Sequence, residues 1–126
     1  MNKKNKVVVF GGAGFLGSYI ADALSQTGYD VTIFDIVESE YHRSNQKMVI
    51  GDILDIKQVN NVIKNSKYVY HFAGMADIKL AKEKPLETIS SNILGTTNIL
   101  EACRNNNVQR FIFASTIYVY SDLGSF

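Results

Sequence analysis

Lys6-Val7-Val8-Val9-Phe10-Gly11-Gly12-Ala13-Gly14-Phe15-Leu16-Gly17 decides how the rest of this 126-residue chain is read. Residues 6–10 form a short apolar run of the kind buried on both faces of a parallel sheet. Glycines follow at 11, 14 and 17, and then Leu16, Ile20, Ala23 and Leu24 recur at helical spacing. Gly11 permits a sharp turn out of the strand. Gly14 lacks a Cβ, so a pyrophosphate can approach the backbone. Gly17 lets the helix pack tightly on the strand. The unpaired N–H groups that begin the helix face the anion, and Phe15 and Leu16 supply the first of them. A strand before the glycines and a helix after them is the context that a dinucleotide site requires.

The second decisive residue is Asp35. Gly28-Tyr29-Asp30 ends the first helix, and Val31-Thr32-Ile33-Phe34-Asp35 reads as a strand closing on an acid. An acid at that distance from the glycines accepts from the adenosine ribose hydroxyls. A 2′-phosphate would meet like charge there, so NAD is favoured over NADP. Arg43 is the nearest following arginine, and it falls in a polar stretch, residues 38–46, expected to be a flexible surface loop on the adenosine side.

The pattern continues. Met48-Val49-Ile50 reads as a third strand and residues 55–65 as a helix, capped by Asp55 with Ile56, Val59, Val62 and Ile63 on one face. Tyr68-Val69-Tyr70-His71-Phe72-Ala73-Gly74 reads as a fourth strand. A long helix is expected over residues 86–105, beginning after Pro85, with Ile89, Ile93, Leu100 and Cys103 inward. Arg110-Phe111-Ile112-Phe113-Ala114-Ser115 reads as a fifth strand. Strands alternating with helices imply a parallel sheet with right-handed crossovers, with the ligand over the C-terminal strand ends. The glycine loop, Asp35, Asp52, Ala73 and Thr116 all fall at such ends. The fold class is therefore α/β, Rossmann-type, with about five parallel strands in the order 3-2-1-4-5 and flanking helices.

These segments resemble the extended short-chain dehydrogenase/reductases, and within them the NAD-dependent epimerase/dehydratase family. The resemblance runs through Gly11-Gly12-Ala13-Gly14-Phe15-Leu16-Gly17, Gly51-Asp52-Ile53-Leu54-Asp55, His71-Phe72-Ala73-Gly74, Asn92-Ile93-Leu94-Gly95-Thr96-Thr97-Asn98-Ile99-Leu100-Glu101-Ala102 and Phe113-Ala114-Ser115-Thr116-Ile117-Tyr118-Val119-Tyr120. It implies that Asp52 approaches the adenine amino group and Ile53 packs on the ring. It further implies that Phe72, Ala73, Gly74, Asn92 and Ser115 line the cofactor, and that Thr116 is the catalytic hydroxyl. Phe10 departs from the pattern, where a small or hydroxyl residue is common, and is expected to affect packing rather than binding. Such proteins epimerise, dehydrate or reduce nucleotide-linked sugars through a tyrosine and lysine in Y-x-x-x-K. Neither Tyr118 nor Tyr120 has that lysine; Asp122 and Gly124 stand there instead. Without the tyrosine a general acid/base factor of about 10² to 10⁴ is forgone. Ala76 stands where galactose epimerases commonly carry a lysine, so no galactose substrate is assigned.

The expectation is one NAD-binding domain over residues 1–126, an N-terminal portion lacking the substrate lobe. A nucleotide sugar is expected to bind only if that lobe is supplied. The alternatives are a non-catalytic dinucleotide-binding regulatory module and the N-terminal part of a reductase of the same branch. The uncovered edge of the fifth strand is expected to favour self-association. The net charge of +1 offers no electrostatic case for nucleic acid or an anionic membrane. No apolar run is long enough to span a bilayer. The single cysteine, Cys103, fits a cytoplasmic setting, and neither His42 nor His71 has metal-ligand spacing.

Overall fold

The computed structural model describes residues 4–116. Tyr118 and Tyr120 lie outside the described residues. Five strands, β1 (Lys6–Phe10), β2 (Asp30–Asp35), β3 (Lys47–Ile50), β4 (Ser66–His71) and β5 (Arg110–Phe113), form one sheet. Its order is β3-β2-β1-β4-β5 and every pairing is parallel. The Rossmann-type arrangement expected from the alternating pattern is present. Strand ends differ slightly from expectation: β4 closes at His71 and β5 at Phe113, because the residues beyond them turn away into the loops that matter below.

Helix α1 (Phe15–Gln26) leaves the glycine loop and stops at Thr27-Gly28. Gly28 adopts a φ of +92°, while the Tyr29 N–H donates to the Leu24 carbonyl and the Gly28 N–H to that of Ser25. That paired closure satisfies the last carbonyls of the helix. Helix α2 (Ile56–Ile63) begins as expected on Asp55, whose Oδ1 accepts from the backbone N–H groups of Lys57 and Gln58. Val59, Val62 and Ile63 are buried as expected, whereas Ile56, in the first turn, is exposed.

Two helical faces differ from the sequence reading. In α1 the buried residues are Gly17 and Ala21, while Leu16 is exposed. The close approach of Gly17 to the glycine loop sets the rotation of the helix, and small residues therefore face the sheet. The expected helix over 86–105 is three segments: α4 (Pro85–Ile89), a π-helical stretch Ser90–Gly95, and α5 (Thr96–Asn105). A short α3 (Ile78–Glu83) precedes them and was not foreseen. Cys103 is buried as expected, but Ile89, Ile93 and Leu100 are exposed, and Ile99 and Ala102 are buried in their place. A π turn widens the helix from i→i+4 to i→i+5 bonding. A 3.6-residue count carried through it therefore points to the wrong side.

The sheet separates two cores. On one face Val8, Phe10, Phe34 and Val69 pack with Val59, Val62 and Ile63 of α2 and Ile99, Ala102 and Cys103 of α5. On the other, Val7, Val9, Val31 and Ile33 pack with Ala21 of α1. Phe10 is fully buried, its ring 5.1 Å from that of Phe34, so it serves packing as expected. Among the described residues no helix is long and apolar enough to cross a membrane.

Candidate functional site

At the C-terminal end of the sheet the chain leaves a cleft of about 650 Å³. It is lined by Gly11 and Gly14, Asp35, Asp52 and Ile53, and Phe72 to Gly74, all named from the sequence. A larger groove of about 800 Å³ lies at the opposite end, where the strands begin. In parallel α/β sheets ligands that react sit at the C-terminal ends, so the smaller cleft is the candidate.

Gly11 joins two parts of this cleft. It adopts a φ of +75°, and a Cβ there would stand 2.6 Å from the Ala73 nitrogen. Only glycine lets the turn after β1 sit against the turn after β4. Gly17 acts differently from expectation. A Cβ on it would collide with the Gly11 carbonyl oxygen and the Gly12 Cα, so its close contact is with the glycine loop rather than with a strand. Gly14 is exposed and opens α1 in an extended conformation with no side-chain cap. The first N–H groups of α1, those of Phe15 and Leu16, therefore keep their capacity for an external acceptor.

Asp35 is held on both oxygens. Oδ2 accepts from the Ala13 N–H at 3.0 Å and Oδ1 from the Ile36 N–H at 2.8 Å. The carboxylate thus ties the glycine loop to the end of β2, and each oxygen retains a second lone pair. Arg43 is not in a loose loop. Its guanidinium donates to Asp22 Oδ2, Nη2 at 2.7 Å, and Gln46 donates to Oδ1 of the same carboxylate. Arg43 holds the Asp22 carboxyl below the usual carboxylate range. Among the described residues the cleft lining contains three carboxylates, Asp35, Asp52 and Glu87, and no lysine or arginine. Attraction for a diphosphate must come from the helix start rather than from side chains.

Asp52 is exposed and accepts from the Leu54 N–H at 2.9 Å, which shapes the turn after β3. Ile53 is 7% exposed and belongs chiefly to the core, with one face on the cleft. Asn92 meets the backbone instead of the cleft: its Oδ1 accepts from the Met75 N–H at 2.7 Å and its Nδ2 donates to the Met75 carbonyl at 2.9 Å. Asn98, quoted in the motif but not assigned a role, donates to the Ile53 carbonyl at 3.0 Å. Two asparagines on neighbouring helical turns therefore clamp the two loops that wall the cleft. Residues that the sequence reading missed include Ile36, Met75, Ser90 and Ser91, which line it. No local signal marked the serines, because only the π-helical stretch places them there. Ser115 and Thr116 follow β5 at the same sheet end, are exposed, and are outside the cleft lining.

His71 is a packing residue. It is 1% exposed, with Nε2 2.8 Å from Thr96 Oγ1 and its ring edge-on to Phe10. Burial lowers its pKa to about 4, so the ring is neutral near pH 7.

Residues 7–125 match the NAD dependent epimerase/dehydratase family. The chain belongs to that family. Among similar proteins, a UDP-N-acetyl-alpha-D-glucosaminuronate decarboxylase of Bacillus cytotoxicus is 36% identical over 93% of this chain and 38% of its own length. A UDP-glucose 4-epimerase of Schizosaccharomyces pombe is 34% identical over 92% of this chain and 36% of its own length. The crystal structure of Thermus thermophilus UDP-glucose 4-epimerase in complex with NAD superposes with a TM-score of 0.83 at 34% identity, covering 88% of this chain and 37% of that one. The chain thus spans well under half the length of these family members.

Proposed function

We propose that this chain is the cofactor-binding portion of an NAD-dependent nucleotide-sugar epimerase or dehydratase. One observation carries the reading. A cleft at the C-terminal strand ends brings together the glycine loop, an uncapped helix start, Asp35 and Asp52, with no lysine or arginine among the described residues that line it. These residues fit an adenine dinucleotide. Gly14 and the N–H groups of Phe15 and Leu16 take the diphosphate, with Gly17 keeping the helix start close. The remaining lone pairs of Asp35 take the ribose hydroxyls, and Asp52 takes the adenine amino group. Ile53, Phe72, Ala73 and Gly74 form the walls, and Asn92 fixes the wall at Met75. When bound, the dinucleotide supplies a ring that accepts and returns hydride. Thr116, beyond β5, is assigned to holding the reacting sugar oxygen, and Ser115 beside it to lining the cofactor. No tyrosine in the sequence has a lysine four residues later, so the proton-transfer pair is not in this chain.

The test is calorimetric titration of the chain with NAD and NADP. NAD is expected to bind about tenfold or more tightly than NADP, because a 2′-phosphate would face Asp35 without a cation. Asp35→Asn should narrow that gap. No turnover of UDP-glucose is expected from the chain alone. Tighter NADP binding by the unaltered chain would refute the reading.

A further inference from the structure

We propose that the groove at the N-terminal end of the sheet is a second anion site, built for a small multivalent phosphate such as pyrophosphate. It occupies about 800 Å³ between the starts of β2 and β3 and the end of α2. Among the described residues its lining holds five lysines, Lys4, Lys6, Lys47, Lys64 and Lys67, and one carboxylate, Asp30. The whole sequence carries a net charge of only +1, so positive charge is concentrated here.

A second observation is independent of charge. Thr32 lines the groove, is 3% exposed, and its Oγ1 has no hydrogen-bond partner among the described residues. A buried hydroxyl without a partner costs about 1–3 kcal/mol of desolvation, so its retention calls for a ligand. The sheet register sets Lys47 directly beside Thr32. Thus the orphan hydroxyl lies at the foot of a lysine wall.

The lysines have separable roles. Lys6 Nζ donates to the carbonyls of Val62 and Lys64 at the end of α2 and is lowered in pKa by burial, so it shapes the groove. Lys47 shares its charge with Asp30 at 3.3 Å. Lys64 donates to a neutral partner, Asn61 Oδ1, at 3.0 Å, and Lys67 lies over the Tyr68 ring. Several cations around one groove favour a ligand that carries more than one negative charge. Nucleic acid is disfavoured, since the one aromatic ring among the described lining residues, Tyr29, packs edge-on against Tyr68 and offers no stacked array for successive bases.

The inference stands independently of the dinucleotide reading. Calorimetry with inorganic pyrophosphate, with NAD saturating to occupy the glycine loop, should show one binding event that weakens with salt. Lys47→Gln with Lys64→Gln should weaken it about tenfold or more while NAD affinity is unchanged. Thr32→Val should weaken it about fivefold to tenfold, yet leave the ligand-free protein equally or more stable. Should NAD fail to bind, the comparison of variants still decides, because the lysines lie at the far end of the sheet. Absence of pyrophosphate binding, binding indifferent to these variants, or tighter binding of a DNA oligonucleotide than of pyrophosphate would overturn the proposal.

Discussion

Acidification should destabilise this protein through one side chain. His71 is 1% exposed, sits among Phe10, Phe111 and Phe113, and has a buried Nδ1 with no partner among the described residues. Its folded-state pKa is lowered from 6.5 to about 4 by burial. A depressed histidine pKa means that the unfolded chain takes up the proton first. The stabilisation is therefore fully present above about pH 6.5 and is lost as pH falls from there towards 4. With each unit worth about 1.36 kcal/mol, the loss between pH 7 and pH 5 is about 2 kcal/mol, and by pH 4 about 3 kcal/mol. The assay is urea unfolding followed by circular dichroism at half-unit pH steps, for the unaltered chain and for His71→Gln. The glutamine keeps a polar contact with Thr96 but cannot titrate. The difference between the two stability curves isolates the histidine from the carboxylates that titrate lower down. It should shrink by about 2 kcal/mol from pH 7 to pH 5. Parallel curves across that interval would refute the reasoning.

Gly17→Ala should destabilise the fold by about 2–4 kcal/mol in urea unfolding, although helix propensity alone would favour alanine by about 1 kcal/mol, because the new Cβ meets the Gly11 carbonyl. Unchanged or raised stability would contradict the packing. Asn92→Ala removes both hydrogen bonds to Met75 and should weaken NAD binding several-fold while costing only about 1 kcal/mol of stability, since the site is exposed. Equal loss in both measurements would make the residue a stability element alone. Asp55→Ala should cost about 1 kcal/mol by loss of the α2 cap, read as a lower thermal midpoint with NAD affinity unaltered.

Local sequence determined a great deal. The apolar runs, the glycine spacing and the acid of Asp35 each state a backbone requirement that any correct fold must meet. Hence the strand order was readable, and so were eight of the seventeen described residues that line the cleft. The Asp55 cap was readable for the same reason, as a carboxylate one residue before an apolar helix has few other uses. Tertiary structure decided what depends on contacts between segments far apart in the chain. The rotation of α1 follows from Gly17 against Gly11 and Gly12, which no helical count contains. Beyond the π-helical stretch the inward face is Ile99 and Ala102 with the expected Cys103, and Ser90 and Ser91 within it line the cleft. Arg43 is held by Asp22, 21 residues earlier, and Asn92 by a loop 17 residues earlier. Periodicity reports which residues prefer burial. Which neighbour each meets is set only when the sheet closes and the helices settle on it.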